Sequence, residues 1–216
     1  MKKLLLIFLS FFLISCGGVI RTTKTIFQGE GHVTRGTISV VAADPKINQS
    51  LAFIPKKKNI ESHLMAVGYK VVNASDNPKY LAFVSYGIDN GKETLDSVPV
   101  FGQTGGGTTY HSGTVNTYGG GFGSYSGTSY SMPTYGIVGS STVSRTEYAR
   151  HLDIDIVVAK SLSTNVERMY EIRAKSSGSC STIESVFESM TKVIFNKFPG
   201  ENGKPLTMDV DWDGKC

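Results

Sequence analysis

From Gly36 onward the chain alternates between polar and apolar positions in short runs, and each run predicts an element. Thr37-Ile38-Ser39-Val40-Val41-Ala42 reads as a strand that Asp44-Pro45 breaks. Ser50-Leu51-Ala52-Phe53-Ile54 reads as a short extended piece running up to Pro55. A helix is expected over 57–67, because Ile60, Leu64 and Val67 fall at i, i+4 and i+7, and Gly68 supplies the stop. The apolar run YLAFVSYGI, 80–88, predicts a central strand. Over 143–159 the alternation is long: Tyr148, Leu152, Ile154, Ile156 and Val158 point one way, and Glu147, His151, Asp153 and Asp155 the other. Arg150 breaks the apolar side of that pattern. Residues 166–175 repeat it, with Tyr170 and Ile172 opposite Glu167, Glu171 and Arg173, after a hairpin turn at 161–165.

The second helix is the best-marked element. Ser181-Thr182-Ile183-Glu184 has the spacing of a capping box, in which side chains satisfy the first free backbone N–H groups. Ile183, Val186, Phe187, Met190, Val193, Ile194 and Phe198 then form a wide apolar stripe, which Pro199-Gly200 ends. Leu206, Met208, Val210 and Trp212 alternate with Thr207, Asp209, Asp211 and Asp213 in a last strand, whose acids are placed to pair with Arg173 or Lys175. These patterns predict an α+β domain over 36–216: an antiparallel or mixed sheet, two helices packed on one face, and a long Gly/Tyr-rich insertion between strands.

That insertion, 102–142, breaks the periodicity. It holds twelve of the chain's 24 glycines and no Lys, Arg, Asp or Glu. Tyr110, Tyr118, Phe122, Tyr125, Tyr130 and Tyr135 are spaced through it as candidate interaction residues. Its composition predicts a flexible loop, since so many glycines cost more backbone entropy than the segment recovers by burial. Two sharper readings stand beside that one. Aromatic rings set among Gly and Ser can stack on sugars or on one another, which would make the segment an adhesive arm. A pair of membrane-crossing strands would need a lipid-facing band, and the alternate positions Tyr110, Ser112, Thr114 and Asn116 do not supply one.

The N-terminus changes the picture more than bulk composition does. Met1-Lys2-Lys3 precedes an apolar run over 4–14, shorter than the roughly 20 residues of a spanning helix. The run ends in Leu13-Ile14-Ser15-Cys16, which resembles the bacterial lipobox. That resemblance implies a signal peptide over 1–15, acyl chains including palmitate on Cys16, and a membrane anchor stronger than two-signal lipidation requires. Residues 16–35 then read as a lipidated tether. Removing residues 1–15 from 216 leaves 201, and losing Lys2 and Lys3 takes the formal charge from +4 to +2. A near-neutral chain with Lys56-Lys57-Lys58 as its one basic cluster, read as a solvated helix start, offers nothing for nucleic acid. An exported protein meets an oxidising compartment, so Cys180 and Cys216 are expected to form a disulfide.

Catalytic signatures are not found. His151, Asp153 and Asp155 share a strand face, but a solvated sheet face accounts for them without a metal. His63 sits beside the apolar stripe of the first helix and reads as structural. No metal set, cofactor loop or nucleophile constellation emerges, and no cofactor is implied. The ordered blocks AVGYKVV, KYLAFVSYGID, PTYG, YARHLDIDIV, SGSCSTIESVFESMTKVIFNKFPGENG and DVDW resemble a family of bacterial envelope lipoproteins carrying a small α+β domain of unknown function. The resemblance implies an outer-membrane lipoprotein, periplasmic or surface-facing, without assigned enzymatic activity. The expected function is therefore a non-enzymatic interaction or structural module whose partners are envelope proteins or glycans. The alternatives are a component of an oligomeric secretion or assembly complex, and an envelope hydrolase built near His151.

Overall fold

A computed structural model describes residues 18–30, 34–212 and 214–216. Among these residues the chain is α+β: a mixed eight-stranded sheet and two α-helices. In chain order the elements are β1 (Gly18–Gln28), β2 (Thr37–Ala42), α1 (Phe53–Ala66), β3 (Lys70–Val71), β4 (Tyr80–Ile88), β5 (Lys92–Thr117), β6 (Gly121–Val158), β7 (Arg168–Gly178), α2 (Glu184–Phe195) and β8 (Leu206–Trp212). The chain divides into two compact units: a body, running up to Lys92 and resuming over Thr146–Cys216, and a second unit, Glu93–Arg145.

In the body the strand order is β3-β2-β4-β6-β7-β1-β8. The β2–β3 and β2–β4 pairs are parallel, with α1 lying in the connection, and the other body pairs are antiparallel. One set of alternate side chains is buried across the strands: Ile20 and Ile26, Ile38 and Val40, Tyr80 and Ala82, Leu152 to Ile156, and Ile172. The same core takes Phe53, Ile60 and Leu64 from α1 and Val186, Phe187, Met190 and Ile194 from α2. The apolar stripes read from the sequence are therefore the core-facing ones.

Several expectations are corrected. Residues 18–28 are not a tether but a strand, paired from Thr22↔Ser176 to Gln28↔Tyr170 with β7 and from Gly18↔Trp212 to Lys24↔Leu206 with β8. Its inward positions include Thr22 and Lys24, so apolar alternation does not show there. The piece 50–54 is not extended, because α1 already begins at Phe53. Pro55 fits the first turn, where no backbone donor is needed. Lys56 is not solvated but buried: its Nζ donates to Ala52 O and to Glu184 Oε1 at 2.8 Å, beneath Tyr86 and Phe187. That contact also removes the capping box, since α2 begins at Glu184 with no side-chain cap and the Glu184 carboxylate goes to Lys56. Asp209 pairs with Arg21 at 2.8 Å rather than with Arg173 or Lys175, because β8 lies beside β1. The lipobox and Cys16 lie outside the described residues, as does Asp213.

The second unit corrects the largest expectation. Residues 102–142 form no irregular loop: β5 and the first part of β6 pair as a long hairpin. The two strands meet at a Tyr118-Gly119-Gly120 turn, where Gly119 and Gly120 take φ of 139° and 91°, values side chains rarely tolerate. Along the arms Thr104 and Thr134 hydroxyls lie 3.2 Å apart, and His111 Nε2 lies 2.8 Å from Ser129 Oγ. Glycine weakens a strand without forbidding it. The Thr, Val, Tyr and Phe between the glycines are residues that favour extended, paired backbone.

Candidate functional site

The second unit is the candidate interaction surface. Of 23 large hydrophobic side chains exposed in the described residues, 15 lie between Leu95 and Val143, so apolar exposure is concentrated on this ribbon. All six aromatic residues singled out in the sequence are exposed there. Tyr110 is on β5, Tyr118 in the turn, and Phe122, Tyr125, Tyr130 and Tyr135 on β6. The cross-strand contacts fix the faces. Even-numbered residues meet even-numbered ones at Thr104–Thr134, and odd meet odd at His111–Ser129. Tyr110, Phe122 and Tyr130 therefore share one face, and Tyr125 and Tyr135 the other. Tyr125 lies over Gly113, whose missing side chain makes the room. Gly127 and Gly139, by contrast, have nothing over them.

Charge appears only at the ribbon's base. Asp96 and Arg145 approach to 4.0 Å, Ser144 hydroxyl donates to the Glu93 carboxylate, and Thr94 hydroxyl donates to Arg145 O at 3.1 Å. Between Ser97 and Ser144 there is no charged residue.

On the body, His151, Asp153 and Asp155 lie on the strand face opposite the helices, as the alternation requires. They are accompanied by Arg173, which pairs with Asp155, and by Lys175. The His151 ring stacks over Gly87 of β4. Burial pushes the Asp153 carboxyl above its ordinary range while Arg173 pulls it down. The group is a cluster of acids and bases across β6 and β7, in which Arg173 pairs with Asp155 and also attracts Asp153. Among the described residues no set of three or more His, Cys, Asp or Glu side chains is placed to hold a metal ion. His63 stacks flat against Phe195 at 5.2 Å, and burial lowers its affinity for a proton.

Two further buried cations have roles that the sequence pattern does not assign. Lys24 Nζ donates to Ile194 O at 2.9 Å and to Asn196 O at 2.6 Å, satisfying carbonyls at the open end of α2. Arg150 is 2% exposed and has three side-chain nitrogens without a hydrogen-bond partner. It shares a cross-strand row with Ser176 and Thr22, whose hydroxyls are also unpartnered. The sequence signal for Arg150 is its break in the apolar alternation of 143–159, and Lys24 gives none because no such alternation shows over 18–28. Cys180 and Cys216 lie at disulfide distance, with Cα atoms 5.5 Å apart, which brings the segment before α2 against Cys216 after β8.

The chain is an α+β body and a β-ribbon that is uncharged from Ser97 to Ser144. No family profile matches this chain, and no curated protein does. Among solved structures it is similar to a PDZ domain protein from Parabacteroides distasonis ATCC 8503, with 11% sequence identity and a TM-score of 0.46 over 97% of this chain. The chain spans 43% of the length of that protein, and a likeness this distant carries no functional argument.

Proposed function

We propose that this chain is a lipid-anchored lipoprotein of the bacterial outer membrane that works by binding rather than catalysis. Acyl groups on Cys16 hold the body at the membrane, and the ribbon 93–145 makes the contacts with envelope proteins or glycans. The observation that carries this reading is the concentration of exposed aromatic and aliphatic side chains on an uncharged ribbon, since large exposed apolar patches mark interaction sites. β1 sets the reach such an anchor would have. Gly18 already lies in the sheet, so a lipid on Cys16 would hold that end of the body within about 7 Å of the bilayer.

Radiolabelled palmitate incorporation and membrane fractionation of the wild type and Cys16→Ala test the anchor. Label and membrane association should both disappear in the variant; label retained in Cys16→Ala excludes this cysteine. Cross-linked partners recovered with and without residues 102–142 test the arm, and an identical set from both counts against it. The alternative of an oligomeric envelope assembly component is favoured by one specific feature, the two open edges of the ribbon.

A further inference from the structure

The ribbon leaves its own backbone chemistry incomplete. Among the described residues β5 pairs with β6 and with no other strand. β6 meets β4 only from Arg150 onward and β7 only from Tyr148 onward, so over 121–145 it has β5 alone. Each arm therefore carries a row of N–H and C=O groups pointing away from its partner. From Ser97 to Thr117 that row runs for about 70 Å. A two-stranded ribbon standing alone in water is marginally stable. Exposed edges are ordinarily guarded by charges, above all lysine, or by proline. Here the 48 residues from Ser97 to Ser144 contain no charge, and Pro99 and Pro133 are the only prolines.

We propose that the ribbon pairs edge to edge with ribbons of further copies of this chain, β5 of one against β6 of the next, in an antiparallel sheet that closes on itself. The proposal rests on the contact role assigned to the ribbon above and names its partner. Three features select a copy in this orientation. Within 93–145 the base of β5 carries Glu93 and Asp96 and the base of β6 carries Arg145, with Lys92 and Glu147 flanking them just outside that unit. Side-by-side ribbons place the acids of one beside the Arg145 of its neighbour. A two-fold pairing of β5 with β5 would instead set the acidic base of one ribbon beside the uncharged tip of the other.

The second feature is the glycine–aromatic complementarity already present within a ribbon. Tyr125 covers Gly113, while Gly127 and Gly139 on β6 are bare and Phe101 and Tyr110 on β5 are uncovered. An aromatic ring packed over a strand glycine restores the contacts the glycine lacks. The third is closure. A head-to-tail contact generates either a ring or an open filament, and only the ring leaves no edge.

The test uses the full chain with its native N-terminus, purified in detergent, with mass determined by light scattering and rings sought by electron microscopy. The expected wild type is an assembly of more than two copies. Ser112→Lys/Ser131→Lys, which puts like charges on exposed positions of every ribbon, should reduce it to monomer with unchanged near-ultraviolet dichroism. Arg145→Glu should raise the concentration for half-assembly at least tenfold, and Asp96→Arg/Glu93→Arg/Arg145→Glu should restore it. A wild type monomeric at every concentration, an assembly of two, or a lysine variant that assembles like the wild type overturns the proposal. So does a monomer whose ribbon is protected only by lipid vesicles, which assigns the edges to the membrane. If the wild type is monomeric while deletion of 102–142 still removes cross-linked partners, the contact role survives and self-pairing alone fails.

Discussion

Lys24 and Arg150 are two cations buried against the same helix-covered side of the sheet, with opposite consequences. Lys24 fills a need, because the last carbonyls of α2 have no donor within the helix. Lys24→Met should leave two acceptors unmet and cost about 1–3 kcal/mol in urea unfolding. Arg150 fills no such need, since its guanidinium finds no acceptor among the described residues. Arg150→Met should therefore be neutral or should stabilise, by up to about 1–4 kcal/mol on the precedent of buried ions replaced by apolar groups. A loss of more than about 1 kcal/mol would show that attraction to the nearby Asp89 carboxylate outweighs the cost of burying the guanidinium. Glu184 gives a pH signature. The hydrogen bond from Lys56 holds its carboxyl below the ordinary carboxylate range. Its contribution to stability is accordingly full above the unfolded-state pKa of about 4.3 and is lost as pH falls through the lower folded value. Glu184 is mostly exposed, so Glu184→Gln should cost no more than about 1 kcal/mol at pH 7, with the difference vanishing near pH 3 in parallel thermal melts.

At the scale of elements, the strands and helices with one apolar face were legible and those with mixed faces were not. β4, the body part of β6, β7, α2 and β8 all follow the alternation or stripe written in their residues. β1 did not read as a strand, because Thr22 and Lys24 occupy inward positions whose partners lie 150 or more residues away. The ribbon did not read as strands because local composition says how costly ordering is and says nothing of what a paired neighbour returns. The cysteine pair acts at this scale too, linking the start of the α2 segment to the chain end across 36 residues. Cys180→Ser/Cys216→Ser should cost about 4 kcal/mol in the chain-entropy account, read as a lowered urea midpoint that dithiothreitol reproduces in the wild type.

For the whole molecule, the division into body and ribbon makes separable demands on the chain. The buried core draws no residue from 93–145. Replacing 93–145 by a short turn between Lys92 and Thr146 should leave one cooperative thermal transition and the near-ultraviolet spectrum of the body. A transition that broadens or disappears would show that the ribbon supports the core. The same variant should lose assembly and partner contacts, so stability and association are expected to respond to different parts of one chain. Among the described residues no helix is long and apolar enough to cross a membrane.

By itself the sequence determined the α+β class, the inward faces of α2 and most strands, the uncharged aromatic segment and the resemblance of its start to a lipobox. Each of these is carried by residues within one or two turns or strand pleats of one another, where periodicity and neighbour chemistry suffice. Only the tertiary structure decided that 18–28 lies between β7 and β8, that Lys56 goes to Glu184, and that Arg21 rather than Arg173 meets Asp209. It also decided that the glycine-rich segment is a paired ribbon with open edges. These depend on which strands become neighbours, and strand adjacency is set by burying the whole core at once rather than by any local run of residues.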